Sequence, residues 1–111
     1  MTPATFRKLA LAMAGASEGA HGGHPDFRAG GKVFASLGRA DKGLAMVKLT
    51  PEQQRMVVDA EPAMFAPVDG FWGQRGYTSV RLVAADATTM RSALAMAWRN
   101  VTTAKPKKSR P

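Results

Sequence analysis

Hydrophobic and polar positions alternate most clearly on either side of Gly30-Gly31. Residues 24–29 and 32–37 predict two short strands joined by a two-residue turn, because glycine adopts the positive φ of such turns without steric cost. The second strand has the period of a half-buried strand, and its apolar positions are Val33, Ala35 and Leu37. Phe34 falls on the otherwise polar face, so the alternation predicts a second covering element there.

Three segments show the helical spacing of apolar residues, and each is preceded by a capping residue. Thr2, Thr50 and Asp86 can accept hydrogen bonds from the free N–H groups of the first turn, and proline follows two of these caps. Gln53 completes a capping box with Thr50 at the second helix. The buried stripe of that helix is predicted to consist of Met56, Val57 and Ala60.

The predicted elements follow one another in the order α-β-β-β-α-loop-β-α. Further strands are predicted at 44–49 and 77–83, where apolar and polar residues again alternate. Segments 17–23 and 62–76 are interpreted as loops, because glycine, proline and polar residues interrupt any period. This order predicts an α+β fold with a small antiparallel sheet and helices packed on one side.

The 111 residues suffice for one domain, placed at 1–102, and they carry a formal net charge of +8. Four of the 16 lysines and arginines lie in the last seven residues, so half of the net charge belongs to a segment, 103–111, that is predicted to be a disordered basic tail. A basic balance favours polyanionic partners such as DNA, because phosphate neutralisation releases counterions. Solubility alone is the other explanation.

The chain contains no cysteine, and no apolar run approaches the ~20 residues that cross a bilayer. The absence of thiols and disulfides fits a reducing compartment, so a cytoplasmic protein without a membrane partner is expected. Arg7 and Lys8 lie inside an apolar-periodic segment, which is interpreted as a structural helix rather than a signal peptide.

No motif in the chain requires catalysis. Gly30-Gly31 lies inside a hairpin rather than between a strand and a helix, and the serines and carboxylates form no nucleophile elbow or carboxylate pair. No catalytic residue and no cofactor are therefore predicted. His21, His24 and Asp26 offer metal-binding groups, but they lie in a glycine-rich segment, so incidental roles are favoured and no metal site is predicted.

Basic residues are concentrated in the predicted hairpins between Phe27 and Leu49. That stretch contains one acidic residue, Asp41, and five cations, which are Arg28, Lys32, Arg39, Lys42 and Lys48. The segment 38–43 has glycine at both ends and charges between, and it predicts an exposed hairpin tip. These cations suit phosphate contacts, while protection of a sheet edge against aggregation is the alternative.

Aromatic residues are concentrated in the segment 62–76. Phe65, Phe71 and Trp72 lie among turn residues there, and Arg75 follows at a second predicted tip. Aromatic rings beside an arginine suit base stacking or phosphate contact. Packing of the segment as a lid over the sheet is the favoured alternative.

Three stretches of the chain, 24–35, 65–80 and 97–99, resemble the MmcQ/YjbR family, and the resemblance covers nearly the whole chain up to the tail. It implies a CyaY-like α+β fold that binds DNA through two β-hairpin wings, with no catalytic residues. The matching positions make the tip at 39–42 one wing and the tip at 72–75 the second.

These observations predict a monomeric, non-enzymatic protein that binds DNA with low sequence specificity through phosphate contacts. The predicted binding residues are Arg28, Lys32, Arg39, Lys42, Lys48 and Arg75, together with Lys107 and Lys108 of the tail. The alternative is a protein-interaction or ligand-binding module that uses the segment 65–76, with Phe65, Phe71 and Trp72 as its binding residues. Exposure of Trp72 beside lysines favours nucleic acid, whereas a place in a concave apolar cavity favours a ligand.

Overall fold

The computed structural model describes residues 1–103. The predictions for Lys107, Lys108 and the rest of the tail beyond Thr103 lie outside the described residues. Within 1–103, no helix combines the length and the apolar character needed to cross a membrane.

The described chain forms one antiparallel sheet and four α-helices. The helices are α1 (Pro3–Leu11), α2 (Pro51–Ala60), α3 (Phe71–Gln74) and α4 (Ala87–Thr102). The strands are β1 (Ser17–His21), β2 (His24–Ala29), β3 (Lys32–Arg39), β4 (Leu44–Lys48), β5 (Phe65–Pro67) and β6 (Tyr77–Arg81). Their order across the sheet is β1-β2-β3-β4-β6-β5.

The α+β prediction is confirmed, and the two segments interpreted as loops contain three further elements. Ser17–His21 is a strand that pairs with β2 along its whole length, and 62–76 contains β5 and α3. The Gly30-Gly31 turn lies between β2 and β3 as predicted, with φ values of 60° and 79°. The two edge strands, β1 and β5, therefore form because they pair with a neighbouring strand, although their sequences are not typical of strands.

Helices α1, α2 and α4 cover one face of the sheet. The ring of Phe6 on α1 lies 6.0 Å from that of Phe27 on β2, and Gln54 on α2 donates a hydrogen bond to the Thr78 hydroxyl on β6. Leu94 on α4 is fully buried in the same core. Cross-strand pairing places a continuous row on this face, consisting of Phe27, Ala35, Val47 and Thr78.

The other face, here called the open face, is not covered by these three helices. Its residues pair across the strands as Asp26 with Ser36, Ser36 with Met46 and Met46 with Ser79. Except for Asp26, these side chains remain half-buried rather than buried. Lys48 lies directly opposite Tyr77 on the same face.

Phe34 belongs to the helix-covered core because β3 is bulged. Val33 lies opposite Arg28 and Ala35 lies opposite Phe27, so Phe34 is an extra residue that interrupts the alternation of faces. It is fully buried in the same cluster as Ala35. The bulge, rather than the predicted second covering element, accounts for this burial.

The predicted stripe of α2 is wrong in two of its three positions. Val57 is buried, but Met56 is 56% exposed and Ala60 is exposed. Gln54 takes a buried place instead, because its amide has backbone partners in the neighbouring segment. The caps are confirmed: Thr2, Thr50 and Asp86 each accept a hydrogen bond from the N–H three residues on, and Gln53 completes the capping box.

Candidate nucleic-acid interface

Of the six body cations predicted to bind phosphates, five lie at the two ends of the sheet, and Arg28 lies within β2. One end, here called the aromatic end, contains the β2–β3 turn, the last residue of β4 and the first residue of β6. The opposite end, here called the histidine end, contains the β1–β2 turn and the β3–β4 connection. Lys32, Lys48 and Arg75 lie at the aromatic end, whereas Arg39 and Lys42 lie at the histidine end. Lys32 and Arg39 are separated by the length of β3, roughly 20 Å.

This arrangement separates the two tips that the resemblance identifies as wings. Residues 39–42 connect β3 to β4, and 72–75 lie in the connection from β5 to β6. Because β4 and β6 run antiparallel, these two connections emerge at opposite ends of the sheet. The tips therefore do not form one continuous basic patch.

Arg28, the last residue but one of β2, is already paired. Its Nε and Nη2 donate to the two carboxylate oxygens of Asp26, at 2.9 and 3.1 Å. The hydrogen bond to Asp26, and then the charge of that carboxylate, raise the pKa of Arg28. A Cβ on Gly19 would lie 2.9 Å from Arg28 Nε and 2.9 Å from Asp26 Oδ1, so glycine leaves room for this pair. Arg28 therefore supports the sheet and carries little free charge.

The histidine end brings together the two histidines of the chain. His21 lies opposite His24 across the Gly22-Gly23 turn, and both are exposed. Asp26 is not available as a third metal-binding group, because Arg28 occupies both of its oxygens. No group of three or more His, Cys, Asp or Glu residues that could hold a metal occurs within residues 1–103.

The aromatic end carries a row of three rings with a cation at each end. Trp72 lies between Phe71 and Tyr77, with ring centroids 5.2 and 5.1 Å away. The Arg75 guanidinium lies 5.1 Å from the centre of the Phe71 ring, and Lys48 Nζ lies 5.6 Å from that of Tyr77. We call Phe71, Trp72 and Tyr77 the aromatic row and Lys48 and Arg75 its flanking cations. Phe71 and Trp72 are 58% and 53% exposed, so the row is presented to solvent.

Gln54 anchors the segment that carries the row. Its Nε2 donates to the carbonyl oxygens of Gly73 and Tyr77, at 3.0 and 2.9 Å, and to the Thr78 hydroxyl. The Thr78 hydroxyl in turn donates to the carbonyl of Gly76 at 2.8 Å. This buried network joins α2 to both ends of the 73–78 segment and holds the rings in place.

Two glycines allow that segment to approach its neighbours closely. A Cβ on Gly73 would lie 1.7 Å from the Val68 carbonyl oxygen, and one on Gly76 would lie 2.0 Å from that of Leu49. Gly76 also has φ of +105°, a region that side chains disfavour. Larger residues at either position would displace the chain on which the row is built.

Trp72 does not line either of two depressions found on the described chain. One depression of about 40 Å³ is lined by residues that include Leu44 and Phe65, and an open groove of about 490 Å³ is lined by residues that include Gln54 and Asp69. Phe65 itself is only 2% exposed and belongs to the core, so it is not free to bind a partner. Trp72 is exposed and contacts the ring of Tyr77, which Lys48 also contacts. An exposed Trp72 near a lysine is the arrangement that favours nucleic acid.

Two residues of this site, Tyr77 and Gln54, are absent from the predicted set. Tyr77 lies at the first position of a predicted strand, but its ring meets Lys48 only through the β4–β6 register. Gln54 lies beside the predicted capping box, where its polar side chain suggests solvent exposure. A buried polar position one turn into a helix becomes visible only when its partners in another segment are known.

Comparison with known proteins places the fold. The YjbR family model matches residues 11–100, and the chain belongs to the YjbR family. The fold is similar to that of protein DR2400 of Deinococcus radiodurans, which has a DUF419 domain, with a TM-score of 0.76 and 17% identity over 92% of this chain and 79% of that one. No curated protein matches the chain.

Proposed function

We propose that the protein binds DNA with low sequence specificity, through phosphate contacts made by the flanking cations Lys48 and Arg75. Lys32, at the same end of the sheet, adds to this surface. Arg39 and Lys42 form a second, weaker site at the histidine end. Arg28 is omitted from the binding set because its Nε and Nη2 donate to Asp26, whose carboxylate offsets its charge.

The observation that carries the proposal is the exposed Trp72 in a row terminated by two cations. Aromatic faces and phosphate-binding cations in one place are the two components of surfaces that bind nucleic acid without reading sequence. Contact with a ring holds each cation near one position, which lowers the conformational entropy that is lost on binding.

Neither flanking cation forms an ion pair with a carboxylate of residues 1–103. Within residues 1–103 the ion pairs are Arg7 with Glu18 and Arg28 with Asp26, and neither involves a flanking cation. Lys48 and Arg75 can therefore displace counterions from phosphates. Each such contact adds about 0.9 to the negative slope of log K against log salt on duplex DNA.

The proposal includes no catalysis and no base-specific readout. The longest helix, α4, buries Met90, Leu94 and Ala97 against the sheet, so that face is unavailable to a DNA groove. We propose that the protein acts as a monomer in the cytoplasm, in keeping with the absence of cysteine from the chain.

The test is binding to a labelled random duplex across a salt series. The full chain is compared with a variant in which the tail cations Lys105, Lys107, Lys108 and Arg110 are replaced by glutamine. The proposal expects the variant to retain binding with a clear negative log–log slope. Loss of all binding in the variant would assign the affinity to the tail and refute the role of the sheet.

A further inference from the structure

We propose that the aromatic end binds single-stranded DNA in preference to double-stranded DNA, with one base stacked on Trp72. This inference rests on the proposed function and specifies its ligand. Trp72 contacts Phe71 and Tyr77 within the row, yet it remains 53% exposed. About half of the surface of Trp72 is therefore accessible to a partner.

Single-stranded and duplex DNA differ in how accessible the faces of their bases are to a protein ring. In a duplex each base is stacked between its neighbours, so a protein ring cannot reach the face except at an end or by unstacking a step, which costs a few kcal/mol. In a single strand the faces are free, and a base stacked on an aromatic side chain contributes about 1–3 kcal/mol. An exposed indole therefore favours the single strand.

The flanking cations suit a flexible backbone that passes over the ring. Arg75 lies on the Phe71 side of Trp72 and Lys48 on the Tyr77 side. A base on Trp72 places its 5′ and 3′ phosphates on the two sides of the indole. A cation on each side can then neutralise both phosphates while the base is stacked on the indole.

The backbone next to Trp72 is held in place by buried contacts. The Gln54 amide donates to the Gly73 carbonyl on α3, and Gly73 itself is buried close to the Val68 carbonyl. Trp72 immediately precedes Gly73, so its backbone is fixed while its ring stays exposed. A ring that is already in position loses little conformational entropy when a base stacks on it.

The experiment compares a labelled oligothymidylate of about 12 nucleotides, a length within the range of small single-strand sites, with a hairpin duplex of the same nucleotide number at one salt concentration. The full chain, Trp72→Ala and Trp72→Phe are titrated with both ligands. Met56→Ala is the matched control, because Met56 is an equally exposed large apolar residue on α2. Intrinsic fluorescence of the full chain and of Trp72→Phe, which retains only Trp98, gives a second readout.

Four results support the inference: tighter binding of oligothymidylate, quenching of Trp72, weakening by Trp72→Ala of roughly fivefold or more for the single strand alone, and retention by Trp72→Phe. Duplex binding that equals or exceeds single-strand binding, unaffected by Trp72→Ala, overturns the inference but leaves phosphate binding intact. Absence of binding to either ligand refutes the proposed function itself.

Discussion

Lys48 Nζ lies 5.6 Å from the centre of the Tyr77 ring, and the two residues are directly opposite one another on β4 and β6. A cation over a ring at an exposed site is stabilised by about 0.5–1 kcal/mol. That energy is too small to determine the fold, yet it holds the ammonium group beside the aromatic row. The pair links the sheet register to the charge pattern of the proposed binding site.

Lys48→Gln is expected to weaken DNA binding and to reduce the negative salt slope by about 0.9 on duplex DNA, because one phosphate contact is lost. Fluorescence anisotropy across a salt series measures both quantities. Lys8→Gln is the matched control, since Lys8 is an exposed lysine on α1, the helix-covered side. Equal effects of the two substitutions would show that only the net charge matters.

Gln54→Leu is expected to lower the free energy of unfolding by about 1–3 kcal/mol, because the Gly73 and Tyr77 carbonyls lose their shared donor. Urea denaturation provides the measurement. Gln74→Leu, at an exposed position of α3, should change stability by less than about 0.5 kcal/mol. Equal stability of the Gln54 variant and the parent would mean that the buried network does not anchor the segment.

Gly76→Ala is expected to destabilise the protein by roughly 3 kcal/mol or more, since strain at positive φ is added to a clash with the Leu49 carbonyl. Gly43→Ala separates the two effects, because Gly43 has φ of +73° with open space around it. That control should lose only about 1–2 kcal/mol. Thermal or urea unfolding that gave the same loss at both positions would contradict the close approach of 76 to 49.

Asp86 is expected to make the stability of α4 depend on pH. The backbone N–H of Thr89, and then its side chain, hydrogen-bond the carboxylate and lower the pKa of Asp86. A lowered pKa in the folded state means that the stabilisation is complete above the pKa of the unfolded chain and is lost as pH falls through the folded value. Urea melts of the parent and Asp86→Asn between about pH 6 and 2 should converge at the acid end. A constant difference across that range would contradict the role of the charge.

Helix starts were predictable because their signals are local. Thr50, Pro51 and Gln53 specify a capping box within four residues, and the structure contains both of its hydrogen bonds. The Gly30-Gly31 turn is local in the same sense. β1 was missed because its sequence, Ser17–His21, resembles a loop until β2 lies beside it.

The site was only partly predictable because it depends on contacts that are distant in the chain. Arg75, Trp72 and Phe71 lie within five residues and were recognised as a group. Lys48 lies beside this group only because β4 pairs with β6. Arg28 is omitted from the proposed binding residues only because it contacts Asp26. Register and side-chain pairing are properties of the folded sheet, so charge counts along the sequence do not show which cations lie together.

The most direct test of the aromatic end as a binding site is a ¹H–¹⁵N NMR titration of the full chain with oligothymidylate. The two tryptophans give two indole N–H signals, and that of Trp98, which is not part of the row, donates to the Ala14 carbonyl. The account predicts that the Trp72 indole signal and the amides of Lys48 and residues 70–77 shift, while the Trp98 indole stays unchanged. Shifts confined to residues 39–42 or to the tail, or no shift at all, would contradict it.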